Sequence, residues 1–169
     1  MKYLFILAGV VCLSFMLLPA CAPQPEEQAE PELAPEPVFD QAAEEAAIRE
    51  VIKKGFATWN QHDVKAHMAV YVDDYESWAG DIKGQAAWEE YFTEFWNRQK
   101  DSQVHLNDEI GIIFVTSDVA IFKAHGEYTG LIDEEGKPQP PSKWMGAWVL
   151  SKSDGKWLVS AIFTRDVEE

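Results

Sequence analysis

The chain reads as an α+β protein in which helices pack on one face of an antiparallel sheet. Two observations predict it. Up to Lys100, apolar residues recur at three- and four-residue steps, the period of amphipathic helices. After Lys100 the pattern becomes runs rich in β-branched and aromatic residues, one closed by an Asp-Gly turn, which fits a meander of strands.

Residues 1–20 read as a leader rather than as part of the fold. Lys2 precedes a fifteen-residue uncharged run from Leu4 to Leu18. That run is shorter than the ~20 apolar residues of a membrane span, and Pro19 with the Pro-rich tail ends it abruptly. Leu18-Pro19-Ala20-Cys21 resembles the lipobox of bacterial lipoproteins. The resemblance implies cleavage before Cys21 and lipidation of its thiol. The protein would then be extracytoplasmic and moored to a membrane, because two or three acyl chains anchor stably. Ala22 lacks the aspartate associated with inner-membrane retention, so in a diderm bacterium the outer membrane is expected. Residues 21–39 then hold the lipidated cysteine and a tether. Ala22 to Pro37 contains five prolines and five glutamates, so it cannot bury a core and reads as an extended acidic spacer.

Residues 40–169 form the folded domain. Ala43, Ala47, Ile48, Val51, Ile52, Phe56 and Trp59 mark the apolar stripe of a first helix. Asp63 stands at an N-cap before a short helix bearing Val64, Met68 and Tyr71. A third helix follows Gly84, with Ala87, Tyr91 and Phe95 on one ridge and Trp88, Phe92 and Trp96 on the next. Strands are predicted over Val104–Thr116, Asp118–Ile132, Lys143–Lys152 and Trp157–Arg165, with a short one near Tyr75–Trp78. In the first, Leu106, Ile110, Ile112 and Phe114 mark the expected core face. In the second, Ala120, Phe122, Ala124, Gly126 and Tyr128 look inward, and Lys123, His125 and Glu127 look out.

Composition narrows the partners. The net charge is −15, and loss of Lys2 with the leader leaves 13 basic and 29 acidic side chains. Without a basic patch, nucleic acid is excluded as a partner, since binding it needs cations to displace counterions. Of two cysteines, Cys12 leaves with the leader and Cys21 is acylated, so the mature domain has no thiol chemistry. No His or carboxylate set has metal-ligand spacing, and no cofactor is expected.

Two segments carry a further resemblance. Phe56-Ala-Thr-Trp-Asn-Gln-His-Asp63, followed by Tyr71-Val-Asp-Asp-Tyr75 and Gly84, resembles the opening of SnoaL-like proteins and ketosteroid isomerases. Leu131 to Pro138 and Trp148 to Trp157 resemble the last strands of the association domain of calcium/calmodulin-dependent protein kinase II. The resemblance implies a nuclear transport factor 2-like cone: three N-terminal helices packed on a curved antiparallel sheet around an apolar pocket, in a family where many members dimerise.

The isomerase pattern does not carry over onto these residues. Gly55 falls at the position of the catalytic tyrosine, Ala79 at the base with Asp81 two residues on, and Met145 to Ala147 at the strand acid. Dehydratases of the fold pair a histidine with a carboxylate. The candidates for that role are His105 with Asp108 or Glu109, and His125 with Glu127. His105, His125 and Asp81 are thus the catalytic candidates. The seven tryptophans are the stronger signal. Trp59, Trp78, Trp88, Trp96, Trp144 and Trp148, with Phe92, Phe122, Tyr128 and Phe163, are candidates to line the cone. Such a pocket suits a flat, apolar or lightly oxygenated ligand. The expectation is a lipid-anchored binding module without isomerase groups. The alternatives are a lyase or isomerase using a pocket His or Asp, and a homodimerising assembly module.

Overall fold

The computed structural model describes residues 39–76 and 81–167. Helix α1 spans Gln41–Asn60, α2 Val64–Met68 and α3 Gly84–Arg98. Strands β1 (Gln103–Thr116), β2 (Val119–Thr129), β3 (Ser142–Ser153) and β4 (Lys156–Asp166) form one antiparallel meander in sequence order. Helices cover one face of this curved sheet, in the cone architecture the sequence implies. The leader, Cys21, the tether and Trp78 lie outside the described residues.

Local chemistry sets the helix ends. The Asp40 carboxylate accepts from Ala43 N at 3.1 Å and Asp63 from Ala66 N at 3.0 Å, so each satisfies an orphan first-turn donor. Gln61 and His62 follow α1, and His62 takes a positive φ of 53°. Its ring is half-buried, stacked 5.4 Å from Trp96, rather than solvated in the turn. The α1 stripe buries Ile48 and Ile52, whereas Ala43 and Ala47 remain exposed. Helix α2 stops at Met68, short of Tyr71. The chain then runs beside β4: Val72 N donates to Val159 O at 3.1 Å and Val159 N to Val70 O at 2.8 Å. These bonds hold Tyr71 against the sheet.

Strands β2 and β3 alternate cleanly. Ala120, Phe122, Ala124 and Gly126 are buried on β2, and Trp144, Gly146, Trp148 and Leu150 on β3. Gly126 is required by close approach: a Cβ there would lie 2.1 Å from both His105 O and Trp144 Cζ2. The Trp144 ring therefore lies flat against bare backbone. Gly130 ends β2 before the predicted Ile132. It takes a φ of +68°, and a Cβ there would lie 1.9 Å from Asp101 O.

Strand β1 departs from the predicted alternation. Its pairing slips between Leu106 and Asp108, between Glu109 and Gly111, and between Phe114 and Thr116. Each extra residue reverses the phase of the side chains that follow. Ile110 falls in such a slip and is 45% exposed, and Leu106, at the sheet edge, is 41% exposed. Only Ile112 and Phe114 of the predicted face pack on the core. The slips also separate His105 from Glu109. His105 pairs with Glu127 on the outer face, while Glu109 pairs with inward Ala124. There Glu109 accepts three hydrogen bonds of 2.8–3.1 Å from Arg49 of α1.

Two further contacts fix the helices. Trp157 Nε1 donates to Glu44 at 2.6 Å, and Lys152 pairs with the same carboxylate, tying the start of α1 to the β3–β4 hairpin. At the other end, Asn60 accepts from Val104 N at 2.8 Å and donates to Val104 O at 3.0 Å. With both ends of α1 fixed, its middle spans a gap above the sheet.

Candidate functional site

That gap is a cavity of about 100 Å³. Helix α1 contributes Val51, Ile52, Gly55, Phe56 and Trp59. The α2 region contributes His67, Val70 and Tyr71. The sheet contributes Val104, Tyr128, Trp148, Val159, Ile162 and Thr164. Gly55 lines this space from the middle of α1, and a Cβ there would sit 3.7 Å from Val70 Cγ2, an ordinary contact, so a side chain is accepted at this position without a clash. The lining is mostly apolar and, among the described residues, contains no carboxylate.

The polar part is a short chain centred on His67, which is 3% exposed. His67 Nδ1 lies 3.2 Å from Gly55 O and 3.2 Å from Thr58 Oγ1. Its Nε2 lies 3.1 Å from the Tyr71 hydroxyl. Gly55 O can only accept, so Nδ1 carries the ring proton and donates. Thr58 donates its own proton to Lys54 O at 2.9 Å. Nε2 is then bare, and Tyr71 donates to it. Burial holds the His67 pKa down at about 4, with the Gly55 carbonyl opposing weakly, so the ring is neutral at physiological pH.

The phenols are pushed the other way. Burial, with Tyr75 and Tyr128 nearby, raises Tyr71 well above its usual value. Burial lifts Tyr128 to about 12, assisted by Asp166 and Tyr91. Both phenols are protonated at neutral pH. The indole N–H of Trp59 is buried and has no acceptor among the described residues. Its ring centroid lies 5.7 Å from that of His67.

The aromatic candidates divide between lining and core. Trp59, Tyr128 and Trp148 line the cavity. Trp88, Phe92 and Trp96 stack along α3, with Phe92 5.5 Å from Trp88 and 5.0 Å from Trp96. Phe122 and Trp144 are buried in the core, at 1% exposure each. Phe163 lies between cavity-facing Ile162 and Thr164, so it points to the outer face, and it is 54% exposed.

None of the catalytic candidates lines the cavity. His105 is exposed, with Nε2 3.1 Å from Thr129 Oγ1. His125, on the outer face, has Nδ1 3.2 Å from Asp108 Oδ2. Asp81 is exposed, ahead of α3. No group of three potential metal ligands occurs among the described residues, and no described helix is long and apolar enough to cross a membrane.

Sequence reasoning missed His67 and Tyr71. The signal was their spacing: His67 shares the helical stripe of Val64, Met68 and Tyr71, the side that faces the core.

A helix-lined cone over a curved sheet, enclosing an aromatic cavity, defines the class. A SnoaL-like domain model matches residues 52–159, and the chain belongs to that family. Solved structures share the fold. Hexachlorocyclohexane dehydrochlorinase LinA-type3 from Novosphingobium barchaimii superposes with a TM-score of 0.65 at 18% identity, over 75% of this chain and 88% of that one. An uncharacterized protein with a cystatin-like fold from Caulobacter vibrioides gives 0.64 at 16%, over 73% and 89%. A ketosteroid isomerase-like protein from Erwinia carotovora atroseptica gives 0.61 at 17%, over 75% and 98%. No curated protein sequence matches the chain.

Proposed function

We propose that this protein is an extracytoplasmic lipoprotein, anchored through Cys21, whose cone binds a small and largely apolar molecule. The observation that carries the binding role is the composition of the cavity wall. It is aromatic and aliphatic, with a few hydrogen-bonding groups at one end and no carboxylate among its described residues. Enolisation or elimination needs a base matched to the working pH. The one imidazole in this wall has a pKa of about 4, far below neutrality. Such a site orients a ligand more readily than it removes a proton from one.

Filling the cavity tests this. Gly55→Leu places a side chain against Val70 in the cavity wall. The wild-type protein is expected to gain thermal stability on titration with small aromatic compounds, by about 2.7 kcal/mol at a hundredfold excess over Kd. The G55L variant is expected to stay folded and show no gain. Equal gains in both proteins would refute cavity binding. For the anchor, Cys21→Ser is expected to move the protein from the membrane to the soluble fraction and remove acyl mass.

A second reading, homodimerisation, is favoured by the outer face of the sheet. Ile113, Ile121, Val149 and Ala161 lie in one register row across all four strands, with Phe163 in the next. Ile113 is 48% exposed, and an apolar row of this kind suits pairing with a second copy. Light scattering of the wild type and of Phe163→Glu tests it. A monomeric wild type at high concentration would end this reading.

A further inference from the structure

We infer that the cavity selects a molecule of about one ring carrying a hydroxyl, and that this hydroxyl donates its proton to Tyr71 Oη. The inference rests on the cavity-binding reading above and specifies its ligand.

The argument is an inventory of protons. Gly55 O, which can only accept, lies 3.2 Å from His67 Nδ1 and fixes the tautomer. The bare Nε2 takes the Tyr71 proton at 3.1 Å. Tyr71 has one proton and has used it. What its oxygen still offers is acceptor capacity, and the group it can serve is a donor. A ketone, ether or carboxylate placed there would meet lone pairs with lone pairs. Burial of His67 preserves this arrangement at neutral pH, because a protonated imidazole would reverse the direction of the chain.

The buried N–H of Trp59 has no acceptor among the described residues, but the same holds for Trp88, Trp96 and Trp144, which do not line the cavity, so the hydroxyl inference rests on Tyr71. An alkyl amine would be charged at neutral pH, and the wall has no carboxylate among its described residues to balance it. Size sets the last limit. The space of about 100 Å³ is below the roughly 150 Å³ of a cavity that admits benzene, so a single ring enters only as the wall yields, and nothing larger fits.

The test is a calorimetric titration of the full-length chain with phenol, toluene and benzaldehyde. Phenol and toluene are nearly isosteric, but only phenol donates; benzaldehyde only accepts. Phenol is expected to bind about five-fold more tightly than either. In Tyr71→Phe the phenol advantage should vanish while toluene affinity is kept. Equal binding of phenol and toluene, or a preference for benzaldehyde, would overturn the hydroxyl inference and leave cavity binding intact. If none of the three binds, both readings fail. Should Tyr71→Phe not fold, the wild-type series decides alone.

Discussion

The two faces of the sheet hold the same residue type in opposite settings. On the inner side, His67 is 3% exposed and its partners are a backbone carbonyl, a threonine and a tyrosine, all neutral. On the outer side, the His125 side chain is 41% exposed and faces the Asp108 carboxylate. Water and a charged partner surround one ring; packed aromatics surround the other. Burial without a counter-charge keeps His67 neutral and turns it into a fixed acceptor for Tyr71. A histidine beside a carboxylate looks catalytic in a list of residues. Here that pair stands on the face away from the cavity, and the histidine within the cavity has no carboxylate partner among the described residues.

The largest break between the faces should come from truncating packed side chains. Phe122→Ala is expected to cost about 3–5 kcal/mol in denaturant unfolding, because it removes a ring at 1% exposure and leaves a cavity. Ile113→Ala on the outer face should cost far less. Equal costs would mean that the outer face is also buried, as in a dimer.

Acid should separate the faces next. The folded pKa of His67, about 4, lies below its ordinary value of 6.5, so between those values the unfolded chain binds more protons. Stability from this group is complete above about pH 6.5 and is lost as pH falls toward 4, by about 3 kcal/mol in all. Glu44, lowered by its bonds to Lys152 and Trp157, adds acid sensitivity only below the ordinary carboxylate range. The pH dependence of urea midpoints should therefore flatten between pH 6.5 and 4.5 in His67→Gln. An unchanged slope would contradict a buried neutral ring.

A smaller effect is expected at the seam. Asn60→Ala removes both bonds to Val104 and should cost about 1–3 kcal/mol, with faster amide exchange at the start of β1. The smallest is His125→Ala, expected to change unfolding free energy by no more than about 0.5 kcal/mol and to leave ligand affinity unaltered. A loss of binding there would move the site to the outer face.

The same contrast governs what could be read from residue order. Helices α1 and α3 were legible because Ile48, Ile52, Trp88, Phe92 and Trp96 repeat at helical steps. Strand β2 was legible because Ala120, Phe122 and Ala124 alternate without interruption. Strand β1 was legible as a strand, but its inward face was not, since its three slips depend on pairing with β2 and leave no local mark. Within the aromatic set, Trp59 and Trp96 look alike in sequence. Only the helix positions around Gly55 make one a cavity wall and the other core.

The sequence by itself determined the element types, because periodicity and turn chemistry act over a few residues, and its resemblance to SnoaL-like proteins implied the cone. It also set the acidic, thiol-poor composition that limits partners. The tertiary structure alone decided which aromatics face open space, which histidine is buried and which way the Tyr71 proton points. Those properties depend on residues far apart in the chain coming within a few ångströms, as when Asn60 meets Val104, 44 positions on, and Glu44 meets Trp157, 113 positions on. Burial, and with it the charge state of His67, exists only once such contacts have formed.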